Sequence, residues 1–185
     1  MAQAGPVCRA EDSVLLLIDV QQRLVDAMTE DVAQNVVLNA ARLLAATKLL
    51  DIPVISTEQY PKGLGKTVDA LGNLLVDPPL EKTCFSSCGA NGFSSTLTNL
   101  KRTQVVIAGM ESHVCVLQTA LELAQSNTVF IAADACCSRS KAHHRNAMQR
   151  LQQAGVIISN HESIMFEWLR DASHAKFKTV SALIK

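Results

Sequence analysis

Six short apolar runs, rich in β-branched residues, recur along the chain at 13–18, 53–57, 82–85, 104–108, 129–133 and 156–159, and each is followed by a stretch with helical periodicity. A strand with one wet face would alternate polar and apolar residues; continuous apolar runs separated by helices instead point to a parallel sheet covered on both faces. Between the first two runs, residues 32–50 place Val36, Val37, Ala40, Leu43, Leu44, Leu49 and Leu50 at helical spacing, and the pattern stops before Pro53, which cannot extend a helix. The expected fold is therefore α/β: a doubly wound, about six-stranded parallel sheet with helices on both faces. There is no repeat or Ser/Gly linker, and the Gly and Pro content marks 62–65 and 76–79 as loops. At 185 residues with 48% apolar content, 1–185 reads as a single domain, with 1–11 as a flexible N-terminal lead.

Charge narrows the partners. Seventeen basic residues balance seventeen acidic ones, and no basic stripe with interleaved aromatics is present, so neither nucleic acid nor an anionic membrane is an expected partner. The first residues, MAQAGPVCRAED, lack a signal-peptide pattern, and no apolar run reaches the roughly 18 residues of a membrane helix. Cys8, Cys84, Cys88, Cys115, Cys136 and Cys137 then read as reduced thiols of a cytoplasmic protein. No CxxC occurs, and the adjacent Cys136 and Cys137 fit one tetrahedral zinc poorly.

In doubly wound sheets the chemistry lies beyond the carboxyl ends of the strands. Those ends carry Asp19 and Gln21 after the first run, Glu58, Gln59 and Tyr60 after the second, Lys82 at the third, and Glu111 to Cys115 after the fourth. A carboxylate, an ammonium and a thiol thus converge on one edge. Such a set suits nucleophilic attack by sulfur: Asp19 takes the thiol proton and later hands it to a leaving amine, while Lys82 holds the anions together. The backbone N–H groups of Glu111 and Cys115, at the turn into a helix, are the oxyanion-hole candidates. A helix start and a nearby lysine also favour the thiolate, which makes Cys115 the expected most reactive of the six thiols. Taken alone, a free cysteine is more often a packed small hydrophobe, the reading kept for the other five.

The stretches IDVQ, EKTCFSS and AGMESHVCVLQTALELA resemble the three signature blocks of the isochorismatase-like cysteine hydrolase superfamily, and the likeness spans most of the chain. The resemblance implies a parallel six-stranded sheet and puts the family's catalytic Asp, Lys and Cys on Asp19, Lys82 and Cys115. It further implies a cis peptide joining Met110 to Glu111, which in the family aims the oxyanion amides. TEQYPKGLGKTV, DACCSRS and the tail DASHAKFKTVSALIK look like the branch of isochorismatase domain-containing proteins. Nicotinamidases of the superfamily bind a divalent metal through an aspartate and histidines after the second strand. STEQYPKGLG has neither residue, so no metal and no cofactor are expected. Isochorismatases proper lack the cysteine, and Cys115 argues against their reaction.

These readings lead to a cysteine hydrolase that cleaves a C–N bond of a small amide, ureide or carbamoyl substrate through a thioester. The alternatives are an isochorismate-type or ester hydrolase and a catalytically idle oligomeric scaffold. The resemblance also makes a homo-oligomer the expected state. Gln21, Gln59, Tyr60 and His113 are assigned to the substrate pocket or its support, with Tyr60 able to stack on a planar substrate. Glu58 is read as a further pocket residue. Arg139 is read as a surface or ion-pairing group, and His143, His144, His161 and His174 as helix-surface residues.

Overall fold

The structure, a computed structural model, describes residues 6–184. Its six strands are β1 (Ser13–Ile18), β2 (Val54–Gln59), β3 (Leu80–Lys82), β4 (Gln104–Met110), β5 (Thr128–Cys137) and β6 (Ile157–Ser159). All pair in parallel, in the order β3-β2-β1-β4-β5-β6. The chain winds outward from β1 in one direction and then returns to build β4 on its other side. The order therefore reverses between β1 and β4, which opens a crevice at their carboxyl ends.

Every residue of β1 and β4 is buried, as their unbroken apolar sequences require of strands with two covered faces. Five longer helices are labelled α1 (Glu30–Leu49), α2 (Phe93–Leu100), α3 (Leu117–Leu123), α4 (Lys141–Gln153) and α5 (His161–Leu169). One face carries α1 and α5, whose Val36, Ala40, Leu43, Ile164 and Trp168 meet Leu15, Leu17, Val106 and Phe130. The opposite face carries α2, α3 and α4, through Phe93, Leu117, Ala120, Leu123 and Leu151 against Val14, Leu16, Ile107 and Ile131. The period-two alternation of each strand distributes its residues between these two cores. No helix among the described residues is long and apolar enough to cross a membrane.

Several boundaries differ from the apolar pattern. The third strand is Leu80–Lys82 rather than 82–85, because the Lys82 carbonyl accepts the Tyr60 N–H at 2.8 Å and the Cys84 and Phe85 carbonyls then fold back onto Lys82 Nζ. β5 runs on to Cys137, past a register step between Ile107 opposite Ile131 and Gly109 opposite Cys136. Residues 1–5 of the N-terminal lead lie outside the described residues. Residues 6–12 run along the domain, where the Cys8 N–H donates to Glu167 at 2.6 Å, the Arg9 N–H to Gln104 at 2.7 Å, and Cys8 is fully buried.

His161 is not on the surface. It opens α5 with its ring buried, Nδ1 lying 2.6 Å from Asp134 Oδ2, and its N–H donates to Asp134 Oδ1 at 2.8 Å. Burial pushes the Asp134 carboxyl up, but the two bonds and the charge of His161 outweigh this and hold it below the usual carboxylate range.

Candidate active site

Asp19 follows β1 with a left-handed φ of 52°, a conformation that costs an ordinary residue free energy and is retained where the surroundings over-determine it. Those surroundings are visible. The Asp19 N–H donates to the Thr57 carbonyl at 3.1 Å, and its own carbonyl accepts from the Gln21 N–H at 2.9 Å. Its carboxylate, fully buried, accepts from Thr57 Oγ1 on one oxygen at 2.7 Å and from Lys82 Nζ on the other at 2.6 Å. Lys82 ends β3 and reaches past β2, donating also to Gln59 Oε1 at 2.7 Å and to the carbonyls of Phe85 and Cys84 at 3.0 and 3.3 Å. An ion pair with both side chains out of water persists only when such bonds offset its desolvation.

Cys115 comes from the far side of the crevice. β4 ends in a cis peptide between Met110 and Glu111, as the resemblance implied, and the chain enters a five-residue π-helical turn, Ser112–Val116, that leads into α3. π-Turns of this kind recur at functional sites. The N–H groups of Val114 and Val116 both return to the Glu111 carbonyl, at 3.0 and 3.3 Å, and Cys115 sits between them. Gly109 allows the approach: its φ is 142°, and a Cβ there would lie 2.1 Å from the Ile18 carbonyl oxygen. β1 and β4 can therefore close up directly beneath Asp19 and the turn.

The thiol is buried at 5% exposure, and its resting state differs from the one expected of a helix start beside lysine. Burial, then the Asp19 charge, push the Cys115 pKa up to about 12, and Lys82 opposes them without prevailing. Cys115 is thus a neutral thiol in the free protein. A carboxylate oxygen has two lone pairs, so Asp19 retains acceptor capacity for the thiol proton beside its bonds to Thr57 and Lys82.

The supporting residues divide. Gln21 is fully buried and clamps the crossover, accepting from the Gln59 N–H at 2.7 Å and donating to the Gln59 and Gly65 carbonyls at 3.0 and 2.6 Å. Gln59 shares Lys82 and donates to the Thr83 carbonyl at 2.7 Å. Tyr60 is half-exposed and forms one wall of a cavity of about 510 Å³ with Lys62, Lys82, Cys84 and Asn91; of Asp19, Lys82 and Cys115, only Lys82 contributes to that wall. Glu58 is not a pocket residue: it is buried and accepts from the Thr67 N–H and hydroxyl at 2.6 and 2.8 Å.

His113 meets the segment after β5, with Nδ1 3.0 Å from Ser138 Oγ and its ring 4.7 Å from that of His143. Its pKa is lowered, first by burial. Glu111 accepts from the backbone N–H and Nε of Arg139, at 3.0 and 3.1 Å. Among the described residues no three His, Cys, Asp or Glu side chains are grouped to hold a metal ion. Thr57 was not among the expected site residues, and His144, expected on a helix surface, is partly buried with Nδ1 2.8 Å from Ser112 Oγ. Thr57 carried no distinguishing signal, since it shares β2 with the polar Ser56, Glu58 and Gln59. His144 had none, because its contact crosses from α4 to the turn.

Comparison with known proteins places the chain in context. The isochorismatase domain family model matches residues 13–163. Isochorismatase domain-containing protein 2A of Mus musculus is 38% identical over 95% of this chain and 84% of its own length. Isochorismatase domain-containing protein 2 of Danio rerio is 40% identical over 93% and 86%. Among solved structures, the MAR1 ribonuclease from Caenorhabditis elegans superposes with a TM-score of 0.90 at 35% identity, over 97% of this chain and 92% of that one. The YcaC gene product of Escherichia coli, described as an octameric hydrolase of unknown specificity, shares the fold with a TM-score of 0.88 at 24% identity, over 98% and 92% of the two chains.

Proposed function

The chain belongs to the isochorismatase family of hydrolases, and on that premise we propose that it cleaves a C–N bond of a small amide, ureide or carbamoyl compound through a thioester on Cys115. The observation that carries this reading is the buried Lys82–Asp19 ion pair beside an otherwise inert thiol.

The steps follow from those groups. The Cys115 proton passes to Asp19 as sulfur attacks the carbonyl carbon, so that no free thiolate is required beforehand. The resulting oxyanion is held by the N–H groups of Glu111 and Cys115. As the intermediate collapses the C–N bond breaks, and Asp19 gives its proton to the departing nitrogen. Water then adds to the thioester, its proton going to Asp19; as the C–S bond breaks Asp19 returns that proton to sulfur, which releases the carboxylic acid product and restores the thiol and the Asp19 carboxylate. Lys82 keeps Asp19 oriented and balances its charge whenever it is ionised. No metal or cofactor takes part in this scheme.

The partner is a small molecule, and the working unit is a homo-oligomer in the cytoplasm, by analogy with the family. An isochorismate-type vinyl-ether hydrolysis would have no use for the thiol, and an idle scaffold none for the ion pair; ester hydrolysis would pass through the same thioester and differ only in its leaving group. The ribonuclease name of the worm relative makes RNA the substrate to exclude. Purified protein should release amine or ammonia from one of nicotinamide, N-carbamoyl amino acids and ureides, form an acyl adduct on Cys115 visible in the intact mass, and lose turnover as Cys115→Ala. Cleavage of short RNA, equal in the wild type and in Cys115→Ala, would sink the proposal.

A further inference from the structure

Three consecutive residues of the turn that carries Cys115 are each tied to the segment entering α4. Glu111 holds the backbone and Nε of Arg139, Ser112 Oγ lies 2.8 Å from His144 Nδ1, and His113 Nδ1 lies 3.0 Å from Ser138 Oγ. They are not equivalent. The Arg139 side chain is 62% exposed, and of the two partly buried histidines His113 is the more open, so water competes for both of these ties more than for the bond to His144. Ser112 is fully buried, and His144 supplies its side-chain hydrogen bond. A hydroxyl left unpaired in the interior is costly, and a hydrogen bond shielded from water is stronger for it.

We propose that His144 is a positioning residue: through Ser112 it sets the orientation of the turn that carries Cys115. The proposal rests on Cys115 being the nucleophile. Burial lowers the His144 pKa, so its ring is neutral near pH 7 and Nδ1 and Nε2 take one donor and one acceptor role between them. His144 also lines a cavity of about 650 Å³ with Val36, Cys136, Cys137 and Met148. A substituted side chain at 144 therefore has room, and a defect there would report the lost bond rather than crowding.

The test compares His144→Leu, which keeps bulk without a polar atom, with His144→Asn, whose side-chain amide places a polar atom where Nδ1 stands. Leu should lower kcat by about tenfold or more with KM unchanged, and should slow acrylamide labelling of Cys115 relative to Cys84 on the same chain by a similar factor. Asn should return both to within about threefold of the wild type. Should the Leu variant fail to fold, Ser112→Ala breaks the same bond from the other end, with the same losses expected. Wild-type kcat and labelling in the Leu variant, or an Asn variant as impaired as Leu, would overturn the proposal. The labelling readout needs no substrate. Full turnover in Cys115→Ala would instead defeat the nucleophile reading on which this one stands.

Discussion

At the scale of single residues, Lys82 is the group on which the site's electrostatics turn, because both it and Asp19 are withdrawn from water and, among the described residues, no other charged side chain pairs with either. Removing the cation leaves a buried carboxylate uncompensated, which costs about 3–5 kcal/mol in comparable pairs. Lys82→Met should therefore lower stability by that amount in urea denaturation, as well as abolishing turnover. A variant as stable as the wild type would mean that water or another donor compensates the carboxylate in its absence. The neutral, buried state of Cys115 also reverses the labelling order suggested by its place at a helix start. Cys84 is exposed and Cys115 is not, so limiting iodoacetamide near pH 7 should mark Cys84 first. Peptide mapping that finds Cys115 labelled before Cys84 would mean the crevice opens far more than its 5% exposure indicates.

At the scale of elements, the site depends on how closely β4 approaches β1. Gly109 and Gly155 both have positive φ, but a Cβ at Gly109 would strike the Ile18 backbone, whereas one at Gly155 meets nothing within 4 Å. Gly155→Ala should therefore cost only the conformational penalty of about 1–2 kcal/mol. Gly109→Ala adds backbone crowding to it and should cost about 2–4 kcal/mol. It should also reduce activity in the fraction that remains folded, because β1 carries Asp19 and β4 leads to Cys115. Denaturant midpoints for the two variants give the comparison, and equal shifts would show that the close approach relaxes without consequence.

At the scale of the whole molecule, the buried thiols give the fold an alkaline weakness. Burial, as the largest cause, pushes Cys8, Cys115 and Cys137 up from 9.0 to about 12, and raises Cys136 as well. A thiol whose folded pKa lies above its unfolded one holds its proton in the native state while the unfolded chain releases it. The stability it contributes is thus complete below about pH 9 and is lost as pH rises toward 12, by up to about 1.4 kcal/mol per pH unit for each thiol. Urea midpoints measured from pH 8 to 10.5 should fall steeply. A Cys136→Ala/Cys137→Ala variant should show a shallower slope, which separates the thiols from other groups that titrate in this range. Parallel slopes for the two proteins would remove the thiols as the cause.

The sequence by itself determined the class of fold, because continuous apolar runs such as 104–108 are incompatible with a wet face, and the helical period between them requires a parallel, doubly covered sheet. It also marked which chemical groups stand at strand ends, since period and turn residues locate those ends to within a few positions, as with Lys82 closing β3 three residues before the apolar run stops. What local pattern cannot carry is any property set by residues distant along the chain. The step in β5, the reach of Lys82 past β2 to Asp19, the Asp134–His161 pair and the bond from His144 to Ser112 all join segments separated by dozens of residues. The protonation of Cys115 belongs to this second kind. A helix start and a lysine are legible in sequence and favour a thiolate, but the loss of water around the sulfur and the nearby Asp19 charge exist only once the chain is packed, and together they decide for the thiol.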